Sequence, residues 1–175
     1  MKIFVGCSSR DDIDSIYKEQ AIILAEQLIK HNHDLICGGT DGVMKIFHDT
    51  FIKNKRTVTL VNVHNYFESK TTSPYIYQYD TVSERKQSIS KLADVLLFLP
   101  GGFGTMDELF TVIESKRAKE HNKPIIILNI NNYYVHLINQ INTMYQEKFA
   151  SINDKDYYFI ANNIEDAIQY IKKLR

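Results

Sequence analysis

The sequence predicts an α/β fold: a doubly wound, mostly parallel sheet with helices on both faces. Short apolar runs alternate along the chain with stretches of helical periodicity. The apolar runs are also continuous, which is typical of strands buried on both faces of a parallel sheet. Because 175 residues with 44% hydrophobic content suffice for one core, we expect a single domain over residues 1–175.

Five apolar runs are predicted to be strands: Ile3–Val5, Leu35–Cys37, Val58–Val61, Val95–Leu99 and Ile125–Leu128. Helical periodicity predicts six helices, near Ser15–His31, Gly42–Lys53, Ser83–Leu92, Thr105–Glu120, Tyr133–Lys148 and Glu165–Leu174. This repeated β-α order is the pattern of a Rossmann-like fold.

Capping residues predict where two of these helices begin. Ser83 is the expected N-cap of the helix that leads into the fourth strand. The segment Thr105–Glu108 has the form of a capping box, in which the glutamate reaches back to the threonine amide. Taken alone, this capping role explains Glu108 better than catalysis does. Glu108 is also predicted to lie off the packed stripe of its helix, which runs through Met106, Leu109, Phe110, Ile113 and Arg117.

The segment Val63–Tyr79 is harder to interpret. Tyr75, Tyr77 and Tyr79 alternate, so a strand here would place three rings on one side. We favour an edge or dimer-facing strand covered by aromatic side chains, and the alternative is a wall on which a base stacks.

Charge and composition argue against several classes of partner. The 21 acidic and 21 basic residues balance, so we expect neither nucleic acid nor a membrane surface as a partner. No run is long enough to span a bilayer, and Met1–Cys7 is too short for a signal sequence. With only two cysteines, Cys7 and Cys37, we expect a cytoplasmic protein. The six histidines are scattered, so no metal site is expected.

Three glycine-containing loops follow predicted strands, at residues 6–9, 37–42 and 100–105. Carboxyl ends of parallel strands meet at one edge of a sheet, where ligands bind, so we expect the three loops to converge. Ser8 or Ser9 would add a hydroxyl donor there.

The segment Pro100–Glu108 is predicted to hold a phosphate. Its three glycines let the backbone approach a ligand, and the amides that open the next helix favour an anion. No Gly-Lys-Ser/Thr closes any of the loops, and the first strand lacks a dinucleotide fingerprint, so a monophosphate fits best. Glu108 would then lie where the sugar of a bound nucleotide sits.

A basic pair, Arg85 and Lys86, falls in the first turn of a predicted helix. Positive charge there opposes the helix dipole, so the pair is either solvated or held for an anion or a carboxylate. We favour the functional interpretation.

Two motifs resemble those of the Lonely Guy (LOG) family of cytokinin-activating phosphoribohydrolases, often mislabelled lysine decarboxylases. The family signature Pro-Gly-Gly-x-Gly-Thr-x-x-Glu is complete from Pro100 to Glu108, and Glu84-Arg85-Lys86 matches the core of Met-His-Glu-Arg-Lys. Similarity extends over nearly the whole chain. Val82 and Ser83 replace the usual Met-His pair.

The resemblance implies hydrolysis of the N-glycosidic bond of adenosine 5′-monophosphate, or of an N6-substituted cytokinin form, to free base and ribose 5-phosphate. It implies Arg85 and Glu108 as the catalytic pair, and a homodimer with the Arg85 helix near the interface. It implies no metal or cofactor. Substrate-binding residues carried over by the resemblance are Ser8, Gly39, Glu68, Arg85, Lys86, Gly101, Gly102, Gly104, Thr105 and Asp107. The alternative is a non-catalytic nucleotide-binding sensor or carrier of the same fold.

Overall fold

The computed structural model describes residues 1–64, 73 and 75–174, and its strands form one sheet. The strands are β1 Lys2–Gly6, β2 Asp34–Cys37, β3 Val58–Val63, β4 Tyr75–Tyr79, β5 Val95–Phe98, β6 Ile125–Leu128 and β7 Phe159–Ala161. They lie in the order β4-β3-β2-β1-β5-β6-β7, and every neighbouring pair is parallel. The predicted parallel sheet is therefore confirmed.

Apart from the connection between β3 and β4, the described helices alternate with the strands in the predicted β-α order. They are α1 Ser15–Lys30, α2 Gly42–Lys53, α3 Val82–Leu92, α4 Phe103–Arg117, α5 Val135–Gln146 and α6 Ile164–Lys172. Two short 3₁₀ turns, Ile130–Asn132 and Ile152–Tyr157, precede α5 and β7. Within the described ranges, no helix combines the length and the apolar character needed to cross a bilayer.

The helices cover both faces of the sheet. One buried cluster joins α1, α2 and α6 to the sheet through side chains such as Leu24, Phe47 and Ile168. The other joins α3, α4 and α5 to the opposite face through Ile89 and Leu109, among others. This confirms the doubly wound, Rossmann-like fold.

The topology creates a crevice between β1 and β5. These strands pair with each other, but the chain leaves β1 towards β2 on one side and β5 towards β6 on the other. The loops after the two strands therefore diverge and leave a crevice between them. Open α/β sheets bind ligands in such a crevice.

The predicted N-cap of α3 is wrong. Thr81, not Ser83, caps this helix: its Oγ1 accepts the Glu84 amide at 3.2 Å, and Glu84 Oε2 accepts the Thr81 amide at 3.1 Å. Thr81 is extended, with φ −128°, whereas Ser83 already lies inside the first turn. A complete capping box two residues earlier therefore sets the start of α3.

The capping role considered for Glu108 is also wrong. Helix α4 begins at Phe103 with Gly102 as its N-cap, so Thr105 lies within the first turn and cannot cap it. The buried face of α4 includes Thr105, Glu108 and Leu109, whereas Phe110 is 42% exposed. Glu108 thus lies on the packed face, contrary to the predicted stripe.

The segment with alternating tyrosines is an edge strand, as favoured. β4 ends the described sheet, and Tyr75 and Tyr77 are 53% and 44% exposed. Tyr79 packs against the core on the same side of the strand. Strand β7 was missed because it has only three residues, too few for a periodic signal.

Candidate functional site

A cavity of about 620 Å³ opens at the crevice between β1 and β5. This volume lies in the range typical of small-molecule sites. Its walls combine the end of β1 and its loop, the start of α4 and parts of β3 and α3. The lining residues are Phe4, Val5, Gly6, Cys7, Ser8, Ser9, Arg10, Gly38, Met44, Val63, Val82, Arg85, Gly102, Phe103, Gly104, Thr105, Asp107 and Glu108.

Two tyrosines hold the glycine loop after β5 in place. The Tyr134 hydroxyl donates to the Leu99 carbonyl at 2.6 Å, and the Tyr133 hydroxyl donates to the Gly101 carbonyl at 2.7 Å. A Cβ at Gly101 would overlap the Thr105 side chain, so this position requires glycine. The loop therefore has one packed side, and its other side is left for a ligand.

The amino end of α4 is a potential anion site. The Met106 amide is bonded to the Gly102 carbonyl at 3.0 Å, so the amides before it lie at the free end of the helix. A Cβ at Gly102 or Gly104 would meet nothing within 4 Å, so the space beside these two residues is open. Helix dipole and free amides both favour a bound phosphate here.

Arg85 and Glu108 form a buried ion pair in the cavity. Arg85 Nη1 donates to Glu108 Oε1 at 2.6 Å, with side chains only 13% and 11% exposed. Arg85 Nε donates to the Val61 carbonyl at 2.7 Å. The guanidinium also lies against Gly38, where any Cβ would overlap Nη2. Three elements, β3, α4 and the loop after β2, therefore fix this arginine.

The environment of Glu108 makes this carboxyl harder to ionise than an exposed glutamate. Burial is the largest influence and raises the pKa of this carboxyl, while the charge and hydrogen bond of Arg85 oppose the rise. A raised pKa in a cleft is a frequent property of groups that exchange protons with a substrate.

A second ion pair links α3 to α4. Lys86 Nζ lies 2.7 Å and 2.8 Å from the two carboxylate oxygens of Asp107. The lysine side chain is 16% exposed, whereas the Asp107 side chain is 52% exposed and lines the cavity. Asp107 therefore keeps an accessible carboxylate at the cavity wall.

The loop after β1 forms the opposite wall. Ser8 is buried, and its Oγ accepts the Arg10 amide at 3.1 Å. The Ser8 carbonyl accepts the Val43 amide from the start of α2 at 3.0 Å. Gly42 has φ +55°, and a Cβ there would overlap the backbone of Ser9 and Arg10. Helix α2 thus fixes the path of this loop.

The structure brings most of the predicted site residues together at this cavity. Those that line it are Ser8, Arg85, Gly102, Gly104, Thr105, Asp107 and Glu108. Gly39, Gly101 and Lys86 are not lining residues, but each lies next to one: Gly39 to Met44, Gly101 to Thr105 and Lys86 to Asp107. Glu68 lies outside the described residues.

Sequence reasoning missed several lining residues. Arg10 directly follows the predicted loop at residues 6–9, so its position was a usable signal. The apolar members Phe4 and Met44 gave no sign of a site, because apolar side chains on strands and helices usually indicate core.

The two cysteines are free thiols in the structure. Burial is the main cause that raises the pKa of Cys7 well above its usual value and the pKa of Cys37 to about 12. Both thiols therefore stay protonated at neutral pH and are poor nucleophiles. In the described part of the chain, no group of three or more His, Cys, Asp or Glu residues is arranged to hold a metal ion.

The fold and the site define a Rossmann-like α/β protein with a ligand cavity at the point where the strand order reverses. The sequence pattern of a family described as "possible lysine decarboxylase" matches residues 44–171. Cytokinin riboside 5′-monophosphate phosphoribohydrolase LOG2 of Arabidopsis thaliana is 30% identical over 98% of this chain and 83% of its own length. LOG1 of the same plant, another phosphoribohydrolase of that name, is 31% identical over 85% of this chain and 71% of its own length. The chain belongs to this family, the LOG family.

A solved structure with a different stated role shares the fold. The molybdenum cofactor carrier protein of Chlamydomonas reinhardtii superposes with a TM-score of 0.72 and 21% identity. The match covers 99% of this chain and 96% of that protein. At this identity the likeness concerns the fold alone.

Proposed function

We propose that this protein hydrolyses the N-glycosidic bond of adenosine 5′-monophosphate, or of an N6-substituted form, to free base and ribose 5-phosphate. The observation that carries the proposal is the buried Arg85–Glu108 pair beside the free amino end of α4 in one cavity. The names of the Arabidopsis relatives support the same reaction.

The glycine loop and α4 would bind the 5′-phosphate. Gly101, Gly102, Gly104 and Thr105 lie at the amino end of this helix, where amides and dipole favour an anion. Phosphate contacts are remote from the bond that breaks, so their binding energy serves to position that bond.

Glu108 would act on the sugar. Cleavage of an N-glycosidic bond passes through an oxocarbenium-like sugar, which a carboxylate stabilises while it activates water. Water oxygen replaces the base nitrogen on the anomeric carbon, and the proton that the water loses ends on the released base. Arg85 remains charged throughout and orients the Glu108 carboxylate through the 2.6 Å contact.

Asp107 would contact the ribose. Its carboxylate is 52% exposed and lines the cavity, while Lys86 holds it from the α3 side. A carboxylate in this position can accept hydrogen bonds from sugar hydroxyls. A contact from Glu68 remains a prediction from the family resemblance.

Base release tests the proposed reaction. Wild-type protein is incubated with adenosine monophosphate and with isopentenyladenosine monophosphate, and free base is measured by chromatography. We expect release that falls about 100-fold or more in Glu108→Gln and in Arg85→Ala. Glu114→Gln is the matched control, because Glu114 is a solvent-exposed carboxylate on the same helix, paired with Arg117. Release that survives both cavity substitutions would contradict the proposal.

The second candidate is a nucleotide-binding sensor or carrier without turnover. The observation that favours it is the replacement of the usual Met-His pair by Val82 and Ser83, since Val82 lines the cavity. Binding of adenosine monophosphate by calorimetry, with no base released over hours, would support this candidate over the enzyme.

We also propose a homodimer in the cytoplasm. Exposed apolar side chains on β4 and at the start of α3, namely Tyr75, Ile76, Tyr77 and Val82, support an interface near the Arg85 helix. The two free thiols support a reducing compartment. Sedimentation of the wild-type chain and of Tyr75→Glu tests the dimer, and a monomeric wild type would contradict it.

A further inference from the structure

Arg10 and Arg85 are the basic residues among the described residues that line the cavity. Arg85 is already engaged by Glu108, by the Val61 carbonyl and by its packing on Gly38. A phosphate monoester carries nearly two negative charges at neutral pH. The charge of Arg85 is offset by Glu108, so a bound phosphate needs a counter-charge from elsewhere.

Arg10 has its resting partner outside the cavity lining. Its guanidinium donates from Nε to Asp12 Oδ1 at 2.8 Å and from Nη2 to Asp12 Oδ2 at 2.6 Å. Both side chains are largely in solvent, 72% and 68% exposed. Exposed ion pairs contribute little stability, so this one can be exchanged at small cost.

The backbone of Arg10 is held firmly although its head group is in solvent. Its amide donates to Ser8 Oγ, and the neighbouring Ser8 carbonyl is bonded to the start of α2. Gly42 leaves no room for the loop to shift towards α2. The side chain therefore starts from a fixed point at the cavity mouth.

The loop that carries Arg10 and the loop that leads into α4 leave neighbouring strands, β1 and β5, and diverge across the crevice. We propose that Arg10 exchanges Asp12 for the 5′-phosphate and binds it from the side opposite the α4 amides. A guanidinium offers two parallel donors that match phosphate oxygens as well as they match a carboxylate. This assignment deepens the proposed function and rests on it for the identity of the ligand.

Binding of ribose 5-phosphate tests the assignment without any need for turnover. Calorimetry compares the wild type with Arg10→Ala and Arg10→Lys, and uses ribose as the ligand that lacks the phosphate. We expect affinity to fall about 10- to 100-fold in Arg10→Ala. The fall should be smaller in Arg10→Lys, which keeps the charge but loses the two parallel donors of the guanidinium. The matched control is Arg117→Ala, which removes an exposed arginine paired with Glu114 away from this cavity.

Asp12→Asn is expected to change the affinity in the opposite direction to Arg10→Ala. It frees the guanidinium from its resting partner, so we expect up to about fivefold tighter binding of ribose 5-phosphate, and weaker binding than in the wild type would contradict the exchange. If Arg10→Ala binds ribose 5-phosphate within twofold of the wild type, the assignment is wrong. If affinity depends on Arg10 but the wild type releases no base, the assignment stands and the proposed reaction fails.

Discussion

The guanidinium of Arg85 occupies the space in which residue 38 would carry a side chain. A Cβ at Gly38 would overlap Arg85 Nη2, while the other terminal nitrogen, Nη1, donates to Glu108. The loop after β2 therefore contributes to the cavity by leaving room for a residue of α3.

Gly38→Ala is expected to displace Arg85 and lower base release about 100-fold, the loss that a misplaced catalytic group typically causes. Circular dichroism would show an unchanged fold. The double variant Gly38→Ala/Arg85→Ala is the control: if the alanine acts through Arg85, the double variant is no less active than Arg85→Ala. Additive losses would show that Gly38 acts in another way.

Tyr134→Phe is expected to lower the free energy of unfolding by about 1–3 kcal/mol, because the Leu99 carbonyl loses a buried partner. Urea unfolding measures this change. Tyr133→Phe removes the hydroxyl of a 43% exposed ring, where water replaces it, so its loss should be smaller. Equal losses in the two variants would contradict this assignment.

Glu108→Gln is expected to gain stability relative to the wild type as the pH rises from about 4 to about 7. Burial raises the pKa of Glu108, so the folded protein binds this proton more tightly than the unfolded chain. Ionising Glu108 therefore weakens folding as the pH rises above the usual glutamate pKa, and glutamine does not ionise. Urea midpoints at the two pH values measure the difference.

Glu114→Gln is the control for this pH dependence, because its stability relative to the wild type should change in the opposite direction. Arg117 lowers the pKa of Glu114, so its ionised form favours folding, and the glutamine variant should lose relative stability over the same pH interval. A pH-independent difference for Glu108→Gln would show that burial does not dominate at that carboxyl.

Lys86→Met is expected to raise KM for the nucleotide about 3- to 10-fold with little change in kcat. Without its partner, Asp107 is free to turn away from the cavity wall and positions the ribose less well. Steady-state kinetics measure the change. A fall in kcat with unchanged KM would instead place Lys86 in the chemical step.

Much of the fold could be predicted from local patterns. Continuous apolar runs identified β1, β2, β3, β5 and β6, because strands buried on both faces need them. β7 is too short to show a pattern. Serine is a favoured capping residue, which is why Ser83 is the expected N-cap of α3, and only the backbone shows that the extended residue is Thr81.

The site was predicted less completely, for a reason visible at Glu108. Its helix begins two residues earlier than the threonine that looked like a cap, so Glu108 does not cap the helix and its carboxylate instead accepts a hydrogen bond from Arg85. Contacts such as Arg85 with Gly38 join residues distant in the chain, so no local pattern reveals them. Arg10 was missed because an arginine beside two aspartates resembles an ordinary solvated segment.

A crystal structure of Glu108→Gln with adenosine monophosphate tests the central claim most directly, since this variant should bind the nucleotide without cleaving it. We predict the phosphate within hydrogen-bond distance of the amides that open α4, with the ribose beside position 108 and Arg85. A nucleotide bound elsewhere, or one whose sugar lies away from Arg85 and position 108, would contradict the account.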